Sequence, residues 1–266
     1  KLYGPSWGPR MEYILRNALL TLTSVGNTTL ADVIKILTTS KYRRKIINKL
    51  DDQVLLRFWH DEYDRMDQRF QQEAISPILN KVGQFVSSPL IRRVLKEPKS
   101  KVNIEKFMNE GKILLCDLSA GKIGEDNSAL LGAMIITQIQ LAAMNRAFVA
   151  EEERKPFYLF VDEFQNFATK SFIRILSEAR KYKLNLTVAN QYMAQLDREI
   201  SDAIFGNVGT LISFLVGAQD AQILQREFGD EFTENDLVSM GRYRTLLKLC
   251  IDGELSNPFY AKTLPL

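Results

Sequence analysis

Lys155-Pro156-Phe157-Tyr158-Leu159-Phe160-Val161-Asp162-Glu163-Phe164-Gln165 carries five apolar residues, Phe157 to Val161, straight into two carboxylates. Such a run predicts a strand buried along its length that delivers Asp162 and Glu163 at its C-terminal end. In open α/β sheets, ligands bind beyond that end of the strands. An Asp placed there can hold Mg²⁺ directly or through water, and the adjacent Glu can orient and deprotonate the water that attacks a nucleoside triphosphate. This is the Walker B arrangement. The competing reading is a strand that ends in two solvated acids.

Working outward, Leu184 to Ala189 reads as the neighbouring strand and ends in Asn190-Gln191. A side-chain amide at that tip can contact a γ-phosphate or the attacking water, or it can simply cap the following turn. The helix between the strands, Ser171 to Tyr182, ends in Arg180-Lys181. A guanidinium there can reach a nucleotide held by a neighbouring subunit. Cations in a last helical turn also favour the helix dipole without any such role. Further strands are expected at Lys112 to Leu118 and Thr210 to Val216, with helices at Asn127 to Phe148 and Arg198 to Phe205. Strands alternating with helices in this way predict a mostly parallel sheet covered on both faces. Tyr243 to Ile251, Asp252-Gly253 and Pro258 to Thr263 read as an antiparallel pair closing its edge.

The first hundred residues read differently, as consecutive helices. Met11, Leu15, Ala18, Leu19 and Leu22 recur at helical spacing, as do Ile75, Ile78, Leu79, Val82 and Phe85. Ser76-Pro77 and Ser88-Pro89 each read as an N-cap followed by a first helical residue. The expected organisation is a mainly all-α domain over 1–100 and an α/β domain over 101–266. Charge divides at the same place: residues 1–100 hold 17 Lys and Arg against 10 Asp and Glu, and residues 101–266 hold 18 against 22. The clustered cations Lys41, Arg43, Arg44, Lys45, Arg92 and Arg93 are the candidate contacts to a DNA backbone. A solvated helical face has the same composition.

Several chemistries lack their parts. His60 is the single histidine, so a multi-histidine metal site and a Ser-His-Asp or Cys-His arrangement have no support. Cys116 and Cys250 sit in apolar runs and read as buried thiols of a reducing compartment. Ala129 to Val149 is the most apolar long stretch, but Gln138, Gln140, Asn145 and Arg146 interrupt it, against a membrane span. Trp7 and Trp59 read as packing residues. No Gly-x-x-x-x-Gly-Lys-Ser/Thr phosphate loop occurs, and Ala120-Gly121-Lys122-Ile123-Gly124 has neither the spacing nor the hydroxyl residue.

Together these stretches carry a resemblance. It rests on Trp7-Gly8-Pro9-Arg10, Tyr13-Ile14-Leu15-Arg16-Asn17, Gly111-Lys112-Ile113-Leu114 and Leu118 to Asp126. Leu130-Leu131-Gly132, the acid-bearing strand, Arg180-Lys181 and Asn190 to Leu196 complete it. The chain resembles the ATPases of type IV secretion and conjugation, in particular TraG/TraD-type coupling proteins within the HerA/FtsK superfamily of RecA-like ring motors. The resemblance implies an α/β, RecA-like P-loop NTPase sheet with an inserted all-α domain, matching the basic helical part. It implies ATP and Mg²⁺ as cofactors, with Asp162 the Mg²⁺ acid, Glu163 the catalytic base, Gln191 the γ-phosphate sensor and Arg180 an arginine finger acting in trans. The implied partners are DNA bound without sequence preference, further copies in a hexameric ring, and type IV secretion or relaxosome components. The implied place is the cytoplasmic face of the cell membrane. On this reading the phosphate loop and any membrane helices precede Lys1, and the 266 residues alone hydrolyse ATP poorly. Leu215 stands where an arginine is expected. Two alternatives stay open: a motor of the same fold serving pilus assembly or protein export, and a catalytically silent partner-binding module.

Overall fold

The computed structural model describes residues 8–264, so Trp7 lies outside the described residues. The chain opens with helices α1 (Pro9–Val25), α2 (Leu30–Thr38), α3 (Ser40–Ile47), α4 (Gln53–Arg57), α5 (Gln68–Ser87), α6 (Pro89–Leu95), α7 (Ile104–Glu110), α8 (Ala120–Ile123) and α9 (Glu125–Asn145). There follow β1 (Phe157–Val161), α10 (Lys170–Glu178), β2 (Leu184–Val188), α11 (Arg198–Phe205), β3 (Leu211–Ser213), α12 (Ala218–Phe228) and α13 (Glu234–Val238). Four strands end it: β4 (Arg244–Lys248), β5 (Cys250–Ile251), β6 (Glu254–Leu255) and β7 (Phe259–Lys262). Two compact units result, residues 8–103 with 117–128, and residues 104–116 with 129–264.

The first unit is helical. Its core gathers Ile14 and Ala18 of α1, Val33 and Ile36 of α2, Ile46 and Ile47 of α3, and Ile75, Ile78 and Val82 of α5. A single π-helical turn, Phe58–Tyr63, follows α4 and turns Phe58, Trp59 and Tyr63 into that core. Trp59 donates its indole N–H to Thr21 Oγ1 at 2.8 Å, which satisfies the one polar atom this large ring carries inside. Pro77 does not open a helix. It lies within α5, which is capped by Asp67, whose carboxylate accepts from the Arg69 and Phe70 amides. The local signal at Ser76-Pro77 is overridden because Ile75, Ile78, Val82 and Phe85 form one continuous buried face through it. Ser88-Pro89 does cap α6, with Ser88 Oγ accepting from Ile91 N.

Arg43 is the main correction here. Its side chain is buried: Nε and Nη2 each lie 2.9 Å from Asp64 Oδ1, Nη1 donates to Ile36 O, and the guanidinium sits over the Tyr63 ring. It is a packing residue, with its guanidinium buried and paired inside the helical unit rather than offered to a phosphate backbone. Tyr63 completes this cluster by donating its hydroxyl to Leu37 O at 2.8 Å. Burial pushes its phenol up to about 12, against the pull of Arg43 and with the help of Asp64. A phenol raised above its unfolded value contributes stability that is present below pH 10 and lost as pH rises toward 12. Tyr63→Phe is expected to cost about 0.5–1.5 kcal/mol at neutral pH and to flatten the alkaline fall in denaturant midpoint. An undiminished alkaline fall in the variant would assign it to other groups.

In the second unit, β1 and β2 form a parallel pair in register from Phe157 opposite Leu184 to Val161 opposite Val188. The expected mostly parallel sheet is reduced to this pair. β3 pairs antiparallel with β4, and β4 with β7, as a separate three-stranded sheet, while β5 and β6 make a short hairpin. Thr245 explains part of β3's choice, because its buried hydroxyl donates to Ser213 O at 2.8 Å. The hairpin turn matches its sequence: Asp252 and Gly253 both have positive φ, as a two-residue turn between twisted strands requires.

Lys112–Leu118 forms no strand. An extended segment becomes a strand when another backbone takes its ladder hydrogen bonds, and among the described residues none does. Ile113 and Leu115 are 86% and 89% exposed. Cys116, on this segment, and Cys250, on the short hairpin, are exposed rather than buried. β1 is likewise buried on one face only, with Tyr158 62% and Phe160 72% exposed on the other. The 24-residue helical stretch Glu125–Phe148 is long and apolar enough to cross a membrane by hydropathy. Its Ile136, Ile139, Ala142 and Ala143 are instead buried at helical spacing, as in a core helix.

Candidate functional site

Ala189, one residue past the end of β2, makes the geometry of the acid pair. Its N–H bonds Val161 O and its carbonyl accepts from Phe164 N, both at 2.9 Å. The ladder thus continues on either side of Asp162 and Glu163, and the two acids bulge out between consecutive hydrogen bonds to one residue. Glu163 takes up the slack in the left-handed region, at φ 49° and ψ 45°. That conformation costs a residue with a Cβ about 1–2 kcal/mol, and such strain concentrates at functional sites. A 3₁₀ turn, Phe164–Asn166, begins at once. Phe164 and Phe167 are buried on its two sides, and the Phe164 ring packs on Phe172 of α10 at 4.4 Å between centroids.

The Glu163 carboxylate is held at both oxygens. Gln191 Nε2 donates to Oε1 and Gln165 Nε2 donates to Oε2, each at 2.5 Å. Asp162 is exposed, and its Oδ1 accepts from the Glu163 N–H at 3.0 Å. Glu163 and Gln191 therefore meet at adjacent carboxyl ends of a parallel pair. Asn190 turns elsewhere: its Nδ2 lies 3.5 Å from Met193 Sδ, and Met193 N donates to the buried Asp220 Oδ2 at 3.1 Å. These contacts tie the loop after β2 to α12.

Arg180 is exposed on the 3₁₀ turn Ala179–Tyr182, before β2 begins. The fold does not bring it to Glu163: a five-residue strand separates them, which at about 3.3 Å per residue puts them at opposite ends of the pair. Leu215 is 60% exposed beyond β3. Lys122, from the glycine-lysine stretch without the loop spacing, pairs with Asp117 in a one-turn helix. In the helical unit Lys41, Arg44 and Lys45 are exposed on the side of α3 away from Arg43, Ile46 and Ile47. Their spacing places them on one helical face. Arg92 and Arg93 are exposed on α6, with Arg92 Nη2 donating to Ser87 O.

Two residues without an assigned role in the sequence prove structural, Gln165 at the site and Arg146 at the opposite end of the strand pair. Gln165 was visible only as a polar residue after the acid pair. Arg146, which interrupts the apolar helix, is 1% exposed and donates Nη1 to Lys155 O and Tyr182 O. It thereby fastens the N-terminal approaches of β1 and β2 to each other. Burial, with Arg154 nearby, pulls its guanidinium below its ordinary value. A metal ion would find a carboxylate pair here, with no group of three or more His, Cys, Asp or Glu side chains among the described residues. One or two carboxylates are what Mg²⁺ uses when phosphate oxygens and water fill the remaining positions.

A parallel pair with acids at its carboxyl end, in a chain that also folds a largely helical unit, defines a mixed α/β protein with a ligand-site geometry of the kind found in doubly wound folds. Residues 156–242, which contain the whole site, match the family described as "TraM recognition site of TraD and TraG". Among solved structures the chain is similar to a bacterial conjugative coupling protein, TrwBdeltaN70 in an unbound monoclinic form, with a TM-score of 0.64 and 11% sequence identity. The match covers 92% of this chain and 61% of that one, so the chain spans about three fifths of its length. At that identity the likeness is one of fold. No curated protein matches the chain in sequence.

Proposed function

We propose that this chain is part of a RecA-like motor ATPase that moves DNA or nucleoprotein in conjugation or type IV secretion. The observation that carries the reading is the pairing of Glu163 with Gln191 at adjacent carboxyl ends of parallel strands, next to an exposed Asp162. The matched family segment, which contains those residues, and the coupling-protein likeness support the conjugative setting. Asp162 would hold Mg²⁺ bound with ATP, which draws negative charge from the phosphates. Glu163 accepts the proton of the attacking water, and Gln191 exchanges its hydrogen bond between Glu163 and a γ-phosphate oxygen. Arg180, remote from Glu163 in its own chain, serves a neighbouring copy in a ring of six. The phosphate loop is supplied by a segment outside these residues. The exposed face of β1 and the unpaired Lys112–Leu118 are apolar surfaces that such a segment would cover, since a parallel sheet is covered on both faces. Relaxosome proteins are the expected partners, and the cytoplasmic face of the cell membrane the expected location.

DNA contact falls to Lys41, Arg44 and Lys45, with Arg92 and Arg93. The test is ATP hydrolysis by the full-length protein with and without a mixed-sequence duplex, at roughly 50 and 200 mM salt. Hydrolysis is expected to be DNA-stimulated, indifferent to sequence and steeply salt-dependent. Changing Lys41, Arg44 and Lys45 together to Gln should make the log–log salt slope of DNA binding shallower by about 2–3. Hydrolysis indifferent to DNA would move the reading to an export or pilus motor of the same fold, and an unchanged slope would clear α3 of DNA contact.

A further inference from the structure

We propose that Gln165 is a positioning residue for Glu163: its amide holds Oε2, so that Oε1, now bonded to Gln191, is the oxygen that works on the attacking water. This rests on the reading of Glu163 as the base.

The orientation of the Gln165 amide is determined by its partner. A carboxylate accepts and does not donate, so the nitrogen end faces Glu163. The oxygen end is thereby turned inward, where Oε1 is buried and accepts from no group among the described residues. Buried acceptors are nearly always satisfied, and a methionine would fill the same space without leaving one. Packing alone therefore does not account for a glutamine here, whereas its bond to Glu163 does. The backbone leaves the side chain little latitude, because Gln165 lies between the buried Phe164 and Phe167 in the turn that Glu163 opens.

The two amides differ in what they can do next. Gln191 is exposed on the loop beyond β2, on a different segment from Glu163, so it can exchange its donor to another acceptor without disturbing the acid. Gln165 is two residues from Glu163 in the same turn and moves with it. When Gln191 lets go, Oε1 is released and Oε2 remains held. A carboxylate pinned at one oxygen keeps its plane while the other oxygen takes a proton, and that fixed aim is where orientation contributes to rate.

The experiment is steady-state ATP hydrolysis by the full-length protein carrying Gln165→Met, Gln165→Glu, Glu163→Gln, or Glu163→Gln with Gln165→Met. Met keeps the length and removes the donor, and Glu keeps the shape and adds a like charge. Both single changes at 165 are expected to lower kcat by about 10- to 100-fold, the usual effect of losing a group that orients a working ligand. The KM for ATP and the thermal midpoint should stay at parent values. On the Glu163→Gln background, Gln165→Met should cost nothing further, because residues that act as a unit are not additive. A parent-like kcat for Gln165→Met, a rise in KM matching its fall in kcat, or an additive loss in the double variant would overturn the positioning role. In those cases an inactive Glu163→Gln would leave the base assignment standing. Parent-level turnover by Glu163→Gln would overturn both.

Discussion

Glu163→Gln is expected to lower ATP turnover by the full-length protein about 10²- to 10⁴-fold, the range that a positioned general base contributes, while ATP binding stays at the parent level. The change is close to isosteric and removes the capacity to take a proton. Its effect on the local structure should be small for a reason visible in the site. The carboxylate accepts from Gln165 and Gln191 together, and a glutamine at 163 presents one acceptor and one donor in their place. One neighbouring amide must then turn over to offer its oxygen, and Gln191, exposed on its loop, can do so. The left-handed backbone at 163 is retained because the two hydrogen bonds from Ala189 on either side of the acid pair do not depend on the side chain. Single-turnover hydrolysis measured alongside nucleotide affinity separates the possibilities. Lost hydrolysis with binding intact assigns Glu163 to chemistry. Loss of both would make it a support of the site, and retention of both would leave a partner-binding module as the better account.

The legible parts of the fold were those whose signal is local. Phe157 to Val161 forms the expected strand because the run is uninterrupted and stops at charge. Arg198–Phe205 forms the expected helix, and Asp252-Gly253 turns the expected hairpin. Gln191 reaches Glu163 because the parallel strands end side by side, and the bulge of the acid pair against Ala189 turns Glu163 toward the loop that follows β2. What failed to show depended on partners far along the chain. Lys112–Leu118 has the composition of a strand, but pairing is a property of two segments, and the second is missing among the described residues. Arg43 looked like one of a row of cations because Asp64, which neutralises it, lies 21 residues on. Ser76-Pro77 carried a true local preference that the longer apolar face of α5 overruled. Gln165 and Arg146 were hidden for the opposite reason: polar residues in apolar surroundings read as interruptions until their acceptors are known.

Gly132→Ala provides the second large effect, because two well-founded tendencies predict opposite signs for it. Gly132 is inside α9, where alanine in place of glycine normally stabilises by about 0.5–1 kcal/mol through backbone entropy. Here a Cβ would fall 2.1 Å from Phe167 Cδ1 and 2.4 Å from Cε1, well inside contact distance. Phe167 is buried, so its ring cannot swing into solvent without giving up apolar burial. Overpacking of this kind costs about 1–3 kcal/mol, which exceeds the propensity gain, and the variant should be less stable than the parent in chemical denaturation. The strain should also reach the site. Phe167 N donates to Phe164 O at 2.9 Å across the turn that contains Gln165, so a displaced Phe167 moves the amide that grips Glu163. Turnover is therefore expected to fall along with stability. Gly132→Ala with Phe167→Leu, which removes the clashing ring edge, should be more stable than Gly132→Ala alone. A single variant more stable than the parent would mean that the ring relaxes freely, and that α9 does not set the position of the acid-bearing turn.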